Sequence, residues 1–271
     1  QMCIRDSREA LHAFIVSNLN ADRALPEPQM RLPDEEPPDP ARVSFMAGAR
    51  DGAFGHHFGG GQDAGRATQA GDLLIKAAAK PTKRRLRKLY DALNTDDALD
   101  YVDPVIEHLA QRRPPTAQIA SIGAWLATQS PDRGPVKIGM ALLGITGAPD
   151  GTVLHELGAH EEFTLFSSVA FSNSRADPEP DLFTLARAVT GWGRIHCVER
   201  LQSTEDPEIQ QWILRDGFRN AVMYEYLAHI AATTGDLAGA LDGPNPDREL
   251  LTAAADIIEA LIMGGPAEDI D

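Results

Sequence analysis

The chain has 271 residues, a formal net charge of −15, and an apolar content of 43% with only 6% aromatic residues. That length can bury one core or one repeat array, and apolar positions rich in Ala and Leu suit closely packed helices better than a sheet sandwich. The acid excess argues against a broad phosphate-binding face, which needs clustered Lys and Arg to release counterions, so nucleic acid is not the expected partner.

Only Cys3 and Cys197 are present, too few for a disulfide framework, which fits a reducing compartment. No stretch approaches the roughly 20 apolar residues of a membrane-spanning helix. A cytoplasmic, membrane-free protein is expected.

Residues 1–7 (QMCIRDS) resemble the translation of a transposon-end sequencing adapter, so the natural chain is expected to begin elsewhere. Residues 8–40 divide into a short amphipathic helix over 8–19 and a Pro-rich acidic strap. Six prolines between Pro26 and Pro40 exclude a regular helix or a central strand there. From Ala41 the pattern is helix, short break, helix. Asp63 opens one helix, Thr82 another after Pro81, and Pro114-Pro115-Thr116 restarts the chain before IASIGAWLATQ. Lys80 to Lys88 (KPTKRRLRK) is a basic helix start in an acidic chain and reads as a solvated face. Residues 41–264 form the expected helical body, and 265–271 an acidic tail.

The second half repeats a turn-then-helix phrase: HEEFTLFSSVAF, GWGRIHCVERL and GFRNAVMYEYL. Its aromatics Phe163, Trp192 and Phe218 are 29 and 26 residues apart, and the link residues Asp150, Asp177, Asp206 and Asp236 are 27, 29 and 30 apart. Asp177 and Asp206 each precede Pro, the chemistry of an N-cap followed by the first helical position. A recurrence of this length signals stacked helical repeats. Helix pairs at this period, with Gly144, Ala170 and Ala228 inside the second helices, resemble HEAT-type, armadillo-like α-solenoids over roughly Ala41 to Met263. The resemblance implies an all-α, right-handed stack of five or six helix pairs whose concave side binds partners. The short period requires a short first helix in each pair.

Metal and phosphate chemistry find little support. His155 and His160 in HELGAHEE are five apart, about 140° round a helix, which is not the one-face spacing of a zinc-protease motif. His56-His57 diverge by about 100°, and Gly59-Gly60-Gly61 has no Gly-Lys-Ser/Thr after it. No metal, cofactor or catalytic residue is assigned.

The repeated turn yields the candidate site. Glu161 and Glu162, Trp192, Arg194 and His196, and Arg219, Asn220, Tyr224 and Glu225 fall at or near the starts of second helices. Stacked layers about 10 Å apart would align them as one polar-aromatic strip. Helix dipoles favour the two glutamates there but not the arginines, which need acids or an anionic ligand as partners. An interlayer ion-pair ladder, with Asn220 capping a helix, is the purely structural reading. The functional reading is a non-enzymatic module that binds a protein partner carrying a basic patch. The alternative is an enzyme using the strip as its pocket. The resemblance extends to solenoid DNA glycosylases, whose concave face is basic, unlike the charge of this chain.

Overall fold

Local capping chemistry sets the helix boundaries. The Asp63 carboxylate accepts from the Arg66 amide (2.9 Å) at the start of one helix, and Asp206 accepts from the Glu208 amide (2.8 Å) ahead of Pro207 at another. Asp247 does the same for the Leu250 amide at 2.8 Å. Each side chain satisfies an amide that a helix start leaves without a partner. Arg113 and Gly147, both left-handed, end two others.

The computed structural model describes residues 8–35, 46–53, 63–95, 98–147 and 151–265. Among the described residues every regular element is helical: fifteen α-helices, one 3-10 turn and one π turn. The adapter-like residues 1–7, the glycine run 59–61, the His56-His57 pair, Asp150 and most of the expected tail lie outside the described residues.

The chain forms two compact units, Gln1–Ala176 and Asp177–Asp271, so their boundary falls inside the stretch read as one repeat body. The first unit holds α1 (Leu11–Asn18), α2 (Ala49–Ala53), α3 (Ala64–Ala79), α4 (Lys83–Leu93) and α5 (Val102–Arg112). It continues with α6 (Thr116–Gln129), α7 (Arg133–Thr146), α8 (Thr152–Gly158) and α9 (Glu161–Ser174). The second holds α10 (Glu179–Ala188), α11 (Trp192–Arg200), α12 (Pro207–Trp212) running into the π turn Ile213–Gly217, α13 (Glu225–Thr233), α14 (Leu237–Leu241) and α15 (Arg248–Met263).

Within the first unit α6 packs on α7 and α8 on α9, while α7 and α9 pack on each other; within the second, α10 packs on α11, and α11 on α13. In these three cases consecutive helices pair, and the second members α7 and α9 adjoin, whereas α12 packs on the π turn, which in turn meets α13. The first members α8, α10 and α12 are short, at 7, 10 and 6 residues. Small residues allow the close approaches. A Cβ on Gly144 would stand 2.7 Å from the Ala170 Cα across the α7–α9 contact, and one on Gly139 would stand 2.5 Å from the Ala127 amide across α6–α7.

α7 is buried nearly all round, as a helix at the centre of a core must be. The Pro-rich strap lies against the first unit as far as residue 35. Leu25 and Leu32 are buried at 4% and 1% exposure, and each such burial stabilises by roughly 1.5–3 kcal/mol. A polar pin adds to the strap's burial, the Glu161 amide donating to the Pro28 carbonyl (2.9 Å), while the segment at α1 is held by the Leu11 amide to the Ser130 carbonyl (2.9 Å) and the Arg8 guanidinium to Asp132 (2.9 Å).

Candidate functional site

The nine predicted site residues fall into both units: Glu161 and Glu162 in the first, the other seven in the second. Their register also differs from the expectation. Phe163 is the third residue of α9 and Trp192 the first of α11, but Phe218 precedes α13 by seven positions. The π turn and Asn220 cause the delay. Asn220 Oδ1 accepts from the Val222 and Met223 amides (2.9 and 2.8 Å), and its Nδ2 donates to the Phe218 and Met223 carbonyls (3.1 and 2.7 Å). Fully engaged with backbone, this side chain builds a turn where the repeat phrase placed a helix start.

Glu162 sits in a buried charge cluster. Its carboxylate accepts from Lys137 Nζ (2.7 Å) and the Gly48 amide (3.1 Å), and Arg133 lies 3.4 Å away. Lys137 also donates to Asp51 at 2.5 Å. Burial pushes the Glu162 carboxyl up, but the charges of Lys137 and Arg133 outweigh it and hold it down at about 2. Burial likewise pulls the Lys137 ammonium down, and the facing Glu162 and Asp51 carboxylates more than reverse that. Arg133 clasps the strap acids Asp34 (2.9 Å) and Glu35 (3.0 Å), so the same cluster pins the strap.

His160 is the N-cap of α9. Its Nδ1 accepts from the Glu162 amide (3.2 Å) and its Nε2 lies 2.7 Å from the Met30 carbonyl, which assigns the neutral Nε2–H tautomer. Burial lowers its pKa against the opposing hydrogen bond to Met30. The HELGAHEE pair is thus divided between roles: His155, within α8, packs against Phe171 with ring centroids 4.6 Å apart and the planes tilted by 43°.

Arg194, at the start of α11, has an acid within reach, Asp216 at 3.5 Å, but its shorter contacts are to backbone carbonyls. Its Nε donates to the Ala186 and Val189 carbonyls (3.2 and 2.8 Å) and its Nη1 to the Arg219 carbonyl (2.7 Å). Carbonyls at the end of α10 and in the turn after the π segment offer the partial negative charge that a guanidinium seeks. Trp192 lies 5.0 Å from Tyr226 and 6.2 Å from His196 by ring centroid, and all three are buried. Arg219 covers the Phe218 ring (4.7 Å) and pairs with Asp256 (2.7 Å). Tyr224 is exposed, packing at 5.5 Å on Phe218, and Glu225 is the half-buried first residue of α13.

Arg194 also lines a cleft of about 380 Å³ in the second unit, with Phe183, Arg187, Glu208, Trp212 and Asp216. The Phe183 and Trp212 rings meet edge to face at 5.2 Å; Arg187 lies over Phe183 (5.4 Å) and Arg194 over Trp212 (5.6 Å). The acids Glu208 and Asp216 are exposed at this cleft. Two half-buried aromatics held by two cations, with exposed carboxylates beside them, can take an apolar side chain and a neighbouring cation.

Apart from Arg194, these cleft residues were not singled out in the sequence. Their signal was weak: Phe183 and Trp212 lie in the short first helices α10 and α12, whereas the repeat phrase directs attention to the second. Lys137 had a clearer one, a single cation inside the apolar run of α7, where a buried charge demands partners. No family model, curated protein or solved structure matches the chain.

Proposed function

We propose that this protein is a non-enzymatic interaction module, built of HEAT-like helix pairs, that binds a protein partner at the Phe183–Trp212 cleft of its second unit. The observation that carries the reading is the cleft's fixed aromatic pair with Arg187 and Arg194 over the rings. Trp and Arg are the residue types that most often anchor protein interfaces, and here the half-buried Trp212 and Phe183 and the exposed Arg187 are open to a partner that would desolvate them. Pairing of consecutive helices, with adjoining second members, supports the repeat reading within each unit.

The partner is basic. The second unit carries 18 acidic against 6 basic residues, a net −12 of the chain's −15, and such a field speeds encounter with a cationic surface. An apolar side chain of the partner packs in the cleft against the joined Phe183 and Trp212 rings, and its Lys or Arg neighbours meet Glu208 and Asp216. A displayed peptide library selected on the full chain tests this. Peptides pairing Lys or Arg with an apolar anchor are expected, binding at least tenfold more weakly to Glu208→Lys/Asp216→Lys and to Trp212→Ala. Selected peptides that bind both variants as tightly as the parent would sink the reading.

A further inference from the structure

The first unit carries a second surface of opposite sign. Five of the first six residues of α4 are cationic, Lys83, Arg84, Arg85, Arg87 and Lys88. Arg85 spends its guanidinium on the Lys76 and Lys80 carbonyls (2.8 and 3.4 Å). Lys83, Arg84, Arg87 and Lys88 are exposed and make no ion pair among the described residues, in a chain with 40 acidic and 25 basic residues. Asp91, the one acid on α4, is four positions from Arg87 without pairing to it. The like charges at i and i+4, Lys83 with Arg87 and Arg84 with Lys88, repel each other. No acid among the described residues neutralises these four charges.

Beside this helix lies an apolar pocket of about 280 Å³. Ala77 and Ala78 at the end of α3, Pro81 in the link, Leu86 of α4, and Ile122 and Trp125 of α6 form most of its wall. Lys83 stands one helical turn before Leu86, and Arg87 directly follows it. The Trp125 indole N–H is buried with no acceptor among the described residues, a donor the chain leaves unused.

We propose that this surface docks an acidic amphipathic segment of a protein partner, with one apolar side chain in the pocket and flanking carboxylates on Lys83, Arg84, Arg87 and Lys88. Charge complementarity selects the sign of the occupant. The pocket selects a peptide over a polyanion: most of its wall is apolar and would gain from an apolar side chain, which a phosphate chain lacks. Its volume lies just below the roughly 300–1,000 Å³ of small-molecule sites and suits a single large side chain. A long nucleic acid would also meet the repulsion of the remaining acidic surface. The site lies in the other unit from the proposed cleft and is independent of that reading.

Fluorescence anisotropy on the full chain tests it. The probe is a panel of labelled 15-residue peptides, each with six Glu or Asp around one central Leu, Met, Phe or Trp, alongside the same peptides with Gly at the centre. At least one anchored peptide is expected to bind at least tenfold more tightly than its Gly counterpart. The same peptide should lose at least tenfold on Arg84→Glu/Lys88→Glu and at least fivefold on Ser121→Trp, which blocks the pocket mouth from an exposed position. Thermal melting of both variants within a few degrees of the parent shows that folding is intact. Equal binding of anchored and Gly peptides, no binding by any peptide at millimolar concentration, or tighter binding of single-stranded DNA or phosphatidylserine vesicles than of every peptide would each overturn the proposal.

Discussion

The two units bury cations in contrasting ways. In the first, Lys137 is 2% exposed and is met by two carboxylates, Asp51 and Glu162. In the second, Arg194 is 8% exposed and is met chiefly by backbone carbonyls. An ammonium is a compact point charge that must be neutralised by another formal charge, whereas a planar, delocalised guanidinium can be satisfied by several dipoles at fixed angles. The first solution couples the core to protonation and ties in the strap through Arg133. The second couples helix ends to one another and responds little to pH.

The largest effect should follow from breaking the ionic solution. Lys137→Met takes from the buried Asp51 and Glu162 the ammonium they share, and removing one partner of a buried pair costs about 3–5 kcal/mol. Chemical denaturation should show that loss. The triple variant Lys137→Met/Asp51→Asn/Glu162→Gln should recover much of it, because the uncompensated charge and not the missing methylene contacts is responsible. A single variant as stable as the parent would mean that the cluster contributes nothing.

Acid offers the same contrast without mutation. Glu162 has a pKa of about 2 in the folded chain against an ordinary 4.5, so as pH falls below about 4.5 the unfolded chain takes up the proton first. Stability present above that pH is lost progressively until pH nears 2, by a few kcal/mol at roughly 1.4 kcal/mol per pKa unit. His160 adds a loss that sets in earlier. Its folded pKa lies below 6.5, so the unfolded imidazole binds a proton first as pH falls through that value. Protonation of Nδ1 in the folded state would also cost α9 its cap. Segment-resolved hydrogen exchange between pH 7 and 3 should show α9 and the strap losing protection before α10 and α11. Simultaneous loss in both units would remove the distinction.

Breaking the carbonyl clamp should cost less. Arg194→Met strips donors from the Ala186, Val189 and Arg219 carbonyls, each neutral, so roughly 2–3 kcal/mol is expected, less than for an uncompensated charge. Arg194→Lys should restore little of it, since a single ammonium cannot reach three carbonyls in a fork. Thermal unfolding of the two variants measures both points, and full rescue by lysine would show that charge alone matters at this position.

How far the sequence reveals this arrangement depends on the range over which each signal acts. Asp63, Thr82, Asp206 and Asp247 cap helices through contacts two or three residues away, and three of these four starts are readable from neighbouring letters. Proline spacing reveals an extended strap, but not that Asp34 meets Arg133 across 99 positions. The repeat phrase carries the all-helical class, yet it misplaces the start of α13, because four hydrogen bonds of one side chain outweigh the helical pattern of FRNAVMY. The partners of Arg194 escape the sequence for a related reason. Arg194 is judged against its own helix dipole in sequence, while its actual partners lie on the end of the preceding helix and in a turn 25 residues onward.

Asn220 gives the smallest and most discriminating test, because it was expected at a binding strip and is found inside a turn. Asn220→Ala removes four hydrogen bonds to backbone groups, two of them to amides that no helix serves, and should cost about 1–2 kcal/mol, as the loss of a cap does. Asn220→Asp keeps the acceptor for Val222 and Met223 but loses the donor to Phe218 and Met223, and should fall between the alanine variant and the parent. Peptides selected on the Phe183–Trp212 cleft should bind both variants within about twofold of the parent at temperatures where all are folded. If binding instead collapses while the melting temperature is unchanged, the turn itself touches the partner, and the contact surface extends from the cleft across Asn220 to the exposed ring of Tyr224.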